Sequence, residues 1–149
     1  MKIEQEIKQK SFGSEHEKLI ANLLFTGNWL NSSNDRRLKK FGVSSQQYNV
    51  LRILRGRYPG PASVNDLRER MLDRESNASR LVEKLRQKDL VCRSECQRDR
   101  RAVDILITDK GLELLNELDR SAGERIEKFH PVSSHQAARL NELLDKLRG

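Results

Sequence analysis

The chain has 149 residues, 36% of them hydrophobic, 34% charged and 5% aromatic, a length that suits one compact domain and excludes two large ones. An apolar run of ~20 residues, as a membrane span needs, is absent, and the first ten residues lack the apolar core of a secretory signal. Two cysteines, Cys92 and Cys96, are too few for a disulfide scaffold. We therefore expect a soluble, cytoplasmic protein with a hydrophobic core and no membrane partner.

The net charge of +7 is concentrated in the middle of the chain. Residues 36–101 hold 18 basic and 8 acidic side chains, whereas the remainder of the chain is net negative by three charges. A cationic centre attracts a polyanion such as nucleic acid, because binding releases condensed counterions. A solvated basic face accounts for the same charges equally well, so the charge alone does not decide between the two.

Capping residues and helical spacing predict two helices in the first third of the chain. Ser14 caps the first helix, which covers residues 15–38, and apolar side chains recur along it at helical spacing. Ser44 caps the second helix, which ends at the Pro59-Gly60-Pro61 stretch because proline and glycine break helices.

A third and a fourth helix follow after a turn. Ser63 caps a short third helix, and Asp73 is expected to cap a fourth helix that begins at residue 74 or 75 and ends at Lys88. The link of about three residues between them has the spacing of a helix-turn-helix.

After Asp89 the apolar spacing changes from helical to alternating. Residues 90–94 and 102–107 are predicted as two strands of a β-hairpin, with a loop of mainly charged residues between them. Thr108 caps a long helix over residues 109–129, which Pro131 ends, and Ser133 caps a last helix.

Two helices followed by a hairpin with a basic loop is the order of a winged helix-turn-helix, in which one helix enters the DNA major groove. The stretch Asp99-Arg100-Arg101-Ala102-Val103-Asp104-Ile105-Leu106-Ile107-Thr108, followed by Gly111, resembles the wing signature D-x-R-x-x-x-[VI]-x-[LI]-T-x-x-G of the MarR family of bacterial transcription regulators. Residues 41–54 and 77–85 resemble the second helix and the recognition helix of that family. The resemblance covers residues 15–148.

The chain departs from the family pattern at two places. Leucine is commoner where this chain has Ile107, and a glycine usually makes the turn where it has Lys88-Asp89. We expect Asp89 to adopt the left-handed conformation that a glycine adopts more easily. Neither departure changes the expected fold.

The resemblance implies a mainly α fold with a small β-hairpin, as a single MarR-like domain over residues 1–149. A winged helix-turn-helix lobe for DNA binding is expected at residues 44–107. Dimerisation helices are expected at residues 15–38 and 109–148.

The first turns of the fourth helix carry the side chains suited to DNA contact. Arginine can bind guanine O6 and N7 with two hydrogen bonds, while serine and asparagine reach phosphates or base edges. The predicted DNA-binding residues of this helix are Ser76, Asn77, Ser79, Arg80 and Lys84. Taken alone, they also fit ordinary exposed polar residues, and the hairpin that follows favours the DNA interpretation.

The loop between the strands holds Arg98, Asp99, Arg100 and Arg101. A narrow minor groove has a strengthened negative potential that attracts an inserted arginine. By resemblance, Arg101 is the minor-groove residue and Asp99 holds it in place. For Arg98 and Arg100 an exposed charge of small energetic value is a reasonable alternative.

The outer helices predict a homodimer. A helix of about 21 residues spans roughly 30 Å, longer than a small winged lobe can cover, so its leucines need a partner. An intramolecular helical layer is the alternative, and the resemblance favours the dimer, whose two recognition helices suit a pseudo-palindromic operator in double-stranded DNA. The predicted dimerisation residues are Leu19, Leu23, Leu115, Leu118, Leu140 and Leu144.

No catalytic or metal-binding motif is found in the sequence, so we expect neither an enzyme nor a cofactor or metal. MarR-like proteins bind small, often aromatic acids between the dimer helices and the winged lobe, and Phe25, Trp29 and Tyr48 are the residues that could line such a pocket. An aromatic side chain on an apolar face is more often plain core.

The predicted function is therefore sequence-specific DNA binding by a homodimeric, ligand-responsive transcriptional repressor. Two alternatives stay open at this point. One is a redox-sensing regulator that uses Cys92 and Cys96, whose thiol pKa values neighbouring arginines could lower. The other is a winged-helix module that docks on proteins and does not bind DNA.

Overall fold

A computed structural model describes residues 1–95, 103–121 and 131–149. Among these, the fold is mainly helical with one β-hairpin, as predicted. Its elements are α1 (Ile3–Glu6), α2 (Glu15–Lys39), α3 (Ser45–Arg57), α4 (Val64–Arg70), α5 (Ala78–Gln87), β1 (Val91–Glu95), β2 (Val103–Ile107), α6 (Asp109–Arg120) and α7 (Ser134–Arg148). No described helix has the length and apolar character that a membrane crossing requires.

The predicted capping residues begin five of these helices. In each case the side-chain oxygen of the cap accepts a hydrogen bond from a backbone N–H three residues later, which satisfies one of the free donors of the first turn. The confirmed caps are Ser14, Ser44, Ser63, Thr108 and Ser133. Local sequence therefore fixed where these helices begin.

The prediction for the fourth helix is wrong at its start. The helix is α5 and begins at Ala78, with Asn77 as its cap, and not at residue 74 with Asp73 as its cap. The Asp73 carboxylate instead accepts a hydrogen bond from the backbone N–H of Glu75, 3.0 Å away, and one from the side chain of Gln46. These bonds hold residues 71–77 as a turn, longer than the predicted link of three residues.

The hairpin is confirmed, with β1 one residue later than predicted and β2 ending at Ile107 as predicted. Its strands are antiparallel, with Val91 opposite Ile107 and Glu95 opposite Val103. Ala62, just before α4, exchanges two backbone hydrogen bonds of 2.9 Å with Ile105, so the helix-turn-helix segment is attached directly to β2.

We call residues 44–107, as far as they are described, the winged lobe. Its core is formed by α3, α4, α5 and the hairpin, together with Leu38 from the end of α2. Leu115 and Leu118 of α6 are also fully buried in this core. The prediction that these two leucines bury between subunits is therefore wrong, because a single chain already covers them.

Asp89 has a φ of 59°, which confirms the expected left-handed conformation at the end of α5.

A close contact joins β2 to α6. A Cβ added to Gly111 would lie 2.7 Å from Cγ1 of Ile107 and closer still to the carbonyl oxygen of Leu90. Glycine is therefore required at this position so that α6 can approach the hairpin.

The long helix predicted over residues 109–129 is described only in its first part. α6 ends at Arg120, with Ser121 as its C-cap. The predicted continuation, including Ala122, Ile126 and Phe129, lies outside the described residues.

Candidate nucleic-acid interface

The helix α5 divides into a buried and an exposed face. Its buried side chains are Ala78, Leu81, Val82 and Leu85, which pack in the core of the winged lobe. Ser79, Arg80 and Lys84 are exposed. The structure therefore places three of the predicted DNA-binding side chains on the outer surface of one helix.

Ser76 and Asn77 do not lie in α5 as predicted. Ser76 precedes the helix and is only 8% exposed, so its side chain is not available on the surface. The Asn77 side chain caps α5 and accepts a hydrogen bond from the backbone N–H of Arg80, 3.0 Å away. Asn77 therefore orients the start of the helix, and Ser76 is a correction to the predicted contact set.

Arg80 and Lys84 carry charges that are free to meet a polyanion. Among the described residues, no carboxylate lies within ion-pair distance of either side chain, whereas Arg86, one turn further along α5, pairs with Glu83 at 2.8 Å. Arg93 of β1 lies 3.5 Å from the other Glu83 oxygen. The hydrogen bond from the Arg86 guanidinium is the main reason that the pKa of Glu83 is lowered.

The turn before α5 is held by two side chains of α3 that the sequence analysis missed. Gln46 donates a hydrogen bond to the Asp73 carboxylate at 2.9 Å, and the Asn49 side-chain oxygen accepts one from the backbone N–H of Leu72, also at 2.9 Å. The bond from Gln46 is the main reason that the pKa of Asp73 is lowered. No periodicity or capping signal pairs residues 23 to 27 positions apart, so only the fold identifies these contacts.

The wing residues Arg98, Asp99, Arg100 and Arg101 lie outside the described residues, as does Cys96. Cys92 is an exposed free cysteine in β1. The described residues hold no cluster of histidine, cysteine and carboxylate side chains suited to a metal ion.

The predicted dimerisation residues fall into two groups. Leu115 and Leu118 are core residues of the winged lobe, as described above. Leu19 and Leu140 are 41% and 51% exposed, and Leu23 and Leu144 are half-buried. Four of the six residues therefore retain apolar surface that one chain leaves uncovered.

A cavity with a volume of about 610 Å³ lies between α2, α3 and the turn before α5. Tyr48 lines it and is otherwise buried in the core. Phe25 and Trp29 are not among its described lining residues, so the structure does not bring the three predicted aromatic residues together. Its lining consists of Asn31, Asn34, Asp35, Ser44, Ser45, Gln46, Tyr48, Asn49, Arg52, Met71, Leu72 and Asp73.

The winged lobe is also the part of the chain that matches a protein family. A model of the MarR family matches residues 41–102. The HTH-type transcriptional regulator MhqR of Bacillus subtilis (strain 168) is 25% identical over 119 residues, which cover 79% of this chain and 81% of MhqR. The HTH-type transcriptional repressor MdtR of the same organism is 34% identical over 74 residues, or 50% of this chain and 46% of MdtR.

The fold matches solved structures over almost the whole chain. Sco3205, a MarR family transcriptional regulator from Streptomyces coelicolor whose crystal structure was determined in complex with DNA, superposes with a TM-score of 0.79 at 22% identity. The match covers 93% of this chain and 89% of Sco3205. These comparisons favour neither the redox-sensing alternative nor the protein-docking alternative. The matched winged lobe, the wing signature ending at Gly111 and the shared fold make this chain similar to the MarR family of transcription regulators.

Proposed function

We propose that the chain is a cytoplasmic, homodimeric repressor, built as a single domain, that binds a pseudo-palindromic operator in double-stranded DNA. The observation that carries this proposal is the exposed face of α5, where Arg80 and Lys84 have no carboxylate partner among the described residues. A helix of this kind fits the major groove, where arginine can distinguish guanine by two hydrogen bonds. Arg101 completes the interface by entering the minor groove, and Asp99 holds it in place.

The homodimer is supported by apolar side chains that one chain leaves exposed on α2 and α7. α7 has no buried residue at all, although its leucines recur at helical spacing. A soluble domain rarely leaves so many large apolar side chains exposed on two helices unless a partner covers them. A second copy of the chain supplies a matching surface by symmetry. The exposed side chains are Leu19, Ile20, Leu24, Phe25, Trp29, Leu140, Leu143 and Leu147.

The effector site of the proposed repressor is the cavity beside Tyr48. Its wall includes Leu72 and Asp73, which belong to the turn that precedes α5, and Gln46 and Asn49, which hold that turn in place. A ligand that forms hydrogen bonds with these side chains competes with the bonds that fix the turn, and so shifts the start of the recognition helix. The polar lining suits a small molecule with several hydrogen-bonding groups.

The test of DNA binding is a fluorescence anisotropy titration against a duplex selected by the wild-type protein from a randomised pool. We expect the logarithm of the affinity to fall against the logarithm of salt concentration with a slope steeper than about −4, because each neutralised phosphate contributes about −0.9. A shallow slope would contradict DNA binding by the cationic lobe and favour a protein-docking module.

The substitution Arg80→Ala tests the assignment of the contact helix. We expect it to weaken operator binding by roughly 1–3 kcal/mol and to relax base preference at one position in each half-site. The matched control is Arg139→Ala, which removes an equal charge from an exposed site on α7. Equal losses in the two variants would show that Arg80 contributes only its charge and does not contact a base.

A further inference from the structure

Two arginines of α3 hold the last turn of α6. Nη1 of Arg55, in α3, lies 2.6 Å from Oδ2 of Asp119, and Nη1 of Arg52 lies 3.6 Å from Oδ1 of the same carboxylate. Asp119 directly follows Leu118, the last residue of α6 that is buried in the core. The carboxylate therefore connects the end of α6 to α3, one of the helices that form the core of the winged lobe.

A third arginine reaches the same turn from α2. Nη1 of Arg37 donates to the carbonyl oxygen of Leu118 at 3.2 Å and to Oγ of Ser121 at 3.3 Å, while Nη2 donates to Asn34 at 3.2 Å. A cation at a helix C-terminus meets free carbonyl oxygens and the negative end of the helix dipole. This contact connects α2 to α6 at the point where α6 leaves the lobe.

Two of these arginines also lie close to the ring of Tyr48. The guanidinium carbons of Arg37 and Arg52 are 5.5 Å and 5.9 Å from its centroid, within the range of a cation–π contact. Arg52 also donates a hydrogen bond to the Tyr48 hydroxyl at 3.2 Å. The planar guanidinium groups are thus fixed in direction as well as in position, which a lysine at either site would not achieve.

We propose that Asp119 is a positioning residue for operator recognition, which together with Arg55 and Arg37 sets the angle between α6 and the winged lobe. This proposal rests on the proposed function, since it concerns a dimer that binds two half-sites. α2 carries exposed apolar residues that are assigned to the dimer, and Arg37 ties α2 to the same turn of α6. The angle of these two helices to α3 therefore sets the separation of the two recognition helices. Buried leucines resist separation of α6 from the lobe, whereas directed ion pairs and hydrogen bonds resist its rotation.

The exposure of the cluster separates its positioning role from a role in stability. The side chains of Arg55 and Asp119 are 27% and 43% exposed, so solvent screens their attraction and the pair adds little to the free energy of folding. Removing the charge of Asp119 should therefore leave a folded protein whose lobes are less firmly oriented. That protein should still bind a single half-site, but it should discriminate less between two half-sites at the selected spacing and two half-sites at another spacing.

The experiment measures affinity for duplexes that carry two half-sites at the selected spacing, the same half-sites moved apart by one base pair, and one half-site alone. One added base pair separates the half-sites by about 3.4 Å and rotates one about the DNA axis relative to the other. The variants are Asp119→Asn, which removes the charge, and Asp119→Glu, which keeps it. The matched control is Glu142→Gln, which removes an ion pair of 2.7 Å between Arg139 and Glu142 within α7.

We expect Asp119→Asn to lose at least about threefold of the discrimination between the two spacings, while its affinity for a single half-site stays within about twofold of wild type. Asp119→Glu should retain most of the discrimination, and Glu142→Gln all of it. The double variant Arg55→Gln with Asp119→Asn should lose no more than Asp119→Asn alone, because both changes break one contact. A thermal melt within a few degrees of wild type confirms that each variant is folded.

Two results would overturn the proposal and leave the proposed function in place. One is an unchanged spacing preference in Asp119→Asn, and the other is an equal loss in Glu142→Gln. A wild-type protein that binds none of the three duplexes would overturn the proposed function and this proposal together, so the two failures are distinguishable.

Discussion

The core of the winged lobe buries its apolar side chains within one chain, whereas the last helix, α7, leaves its apolar side chains partly exposed. In the core of the lobe, which α6 helps to form, Leu51, Leu54, Leu115 and Leu118 are all at most 1% exposed within one chain. In α7 no residue is buried, and Leu143 and Leu147 retain about half of their exposure. The sequence patterns of α6 and α7 are similar, so apolar periodicity shows that a face will be covered but not whether the same chain covers it.

Truncation of a leucine that one chain buries should have the largest effect on stability, so it tests whether the core of the lobe is complete within one chain. We expect Leu118→Ala to lower the free energy of unfolding by about 2–5 kcal/mol, because it removes buried methyl groups and leaves a cavity. Urea denaturation at low protein concentration, where a dimer contributes least, measures the loss. Leu147→Ala is the matched control, and an equal loss there would mean that α7 is as well packed within one chain as α6.

A charge on the exposed apolar face of α7 should weaken the dimer and leave the winged lobe folded. We expect Leu140→Glu to weaken self-association by about 2–4 kcal/mol, since an unpaired carboxylate would have to be buried in the interface. Sedimentation equilibrium gives the association constant, and circular dichroism reports whether helices persist in the monomer. A Leu140→Glu protein that stays dimeric at micromolar concentration would contradict the assignment of α7 to the interface.

α6 packs so closely on the hairpin at Gly111 that the space there leaves no room for a Cβ. We expect Gly111→Ala to lower the free energy of unfolding by about 1–3 kcal/mol, because its Cβ would overlap Ile107 and the carbonyl of Leu90. Gly27→Ala is a fitting control, since a Cβ there meets nothing within 4 Å and lies in the middle of α2. Thermal melting curves compare the two, and a stabilised Gly111→Ala would contradict the close approach.

The smallest expected effect concerns a carboxylate at the surface of the lobe. Hydrogen bonds from the backbone N–H and the hydroxyl of Ser63, and the nearby Arg57, lower the pKa of Asp66 below its usual value. Its contribution is therefore complete above about pH 4 and is lost as the pH falls through the lowered folded-state pKa. We expect Asp66→Asn to cost about 1 kcal/mol or less at pH 7.

The pH dependence distinguishes this effect from a simple loss of helix propensity. The stability curves of wild type and Asp66→Asn should converge as the pH is lowered below 4, because protonation of wild-type Asp66 then removes the same charge. Chemical denaturation at a series of pH values measures both curves. Parallel curves over the whole range would mean that the charge of Asp66 contributes nothing.

Local interactions were determined by the sequence alone. Ser14, Ser44 and Ser63 mark the beginnings of their helices because a cap needs only a side-chain oxygen and an N–H three residues later. The alternation of residues 103–107 gives β2, and Asp89 takes the left-handed conformation that the turn after α5 requires. Each of these features depends on neighbours within a few residues, so no knowledge of the fold was needed.

Contacts between distant residues were decided only by the tertiary structure. Gln46 and Asp73 are 27 positions apart, and their hydrogen bond converts an expected helix cap into a turn and moves the start of α5 to Ala78. Burial of Ser76 follows from the same turn. Periodicity likewise placed Leu115 and Leu118 on an apolar face. Both are buried in a core that also contains residues of α3 and the hairpin, and only the packing of these elements decides between a core and a dimer interface.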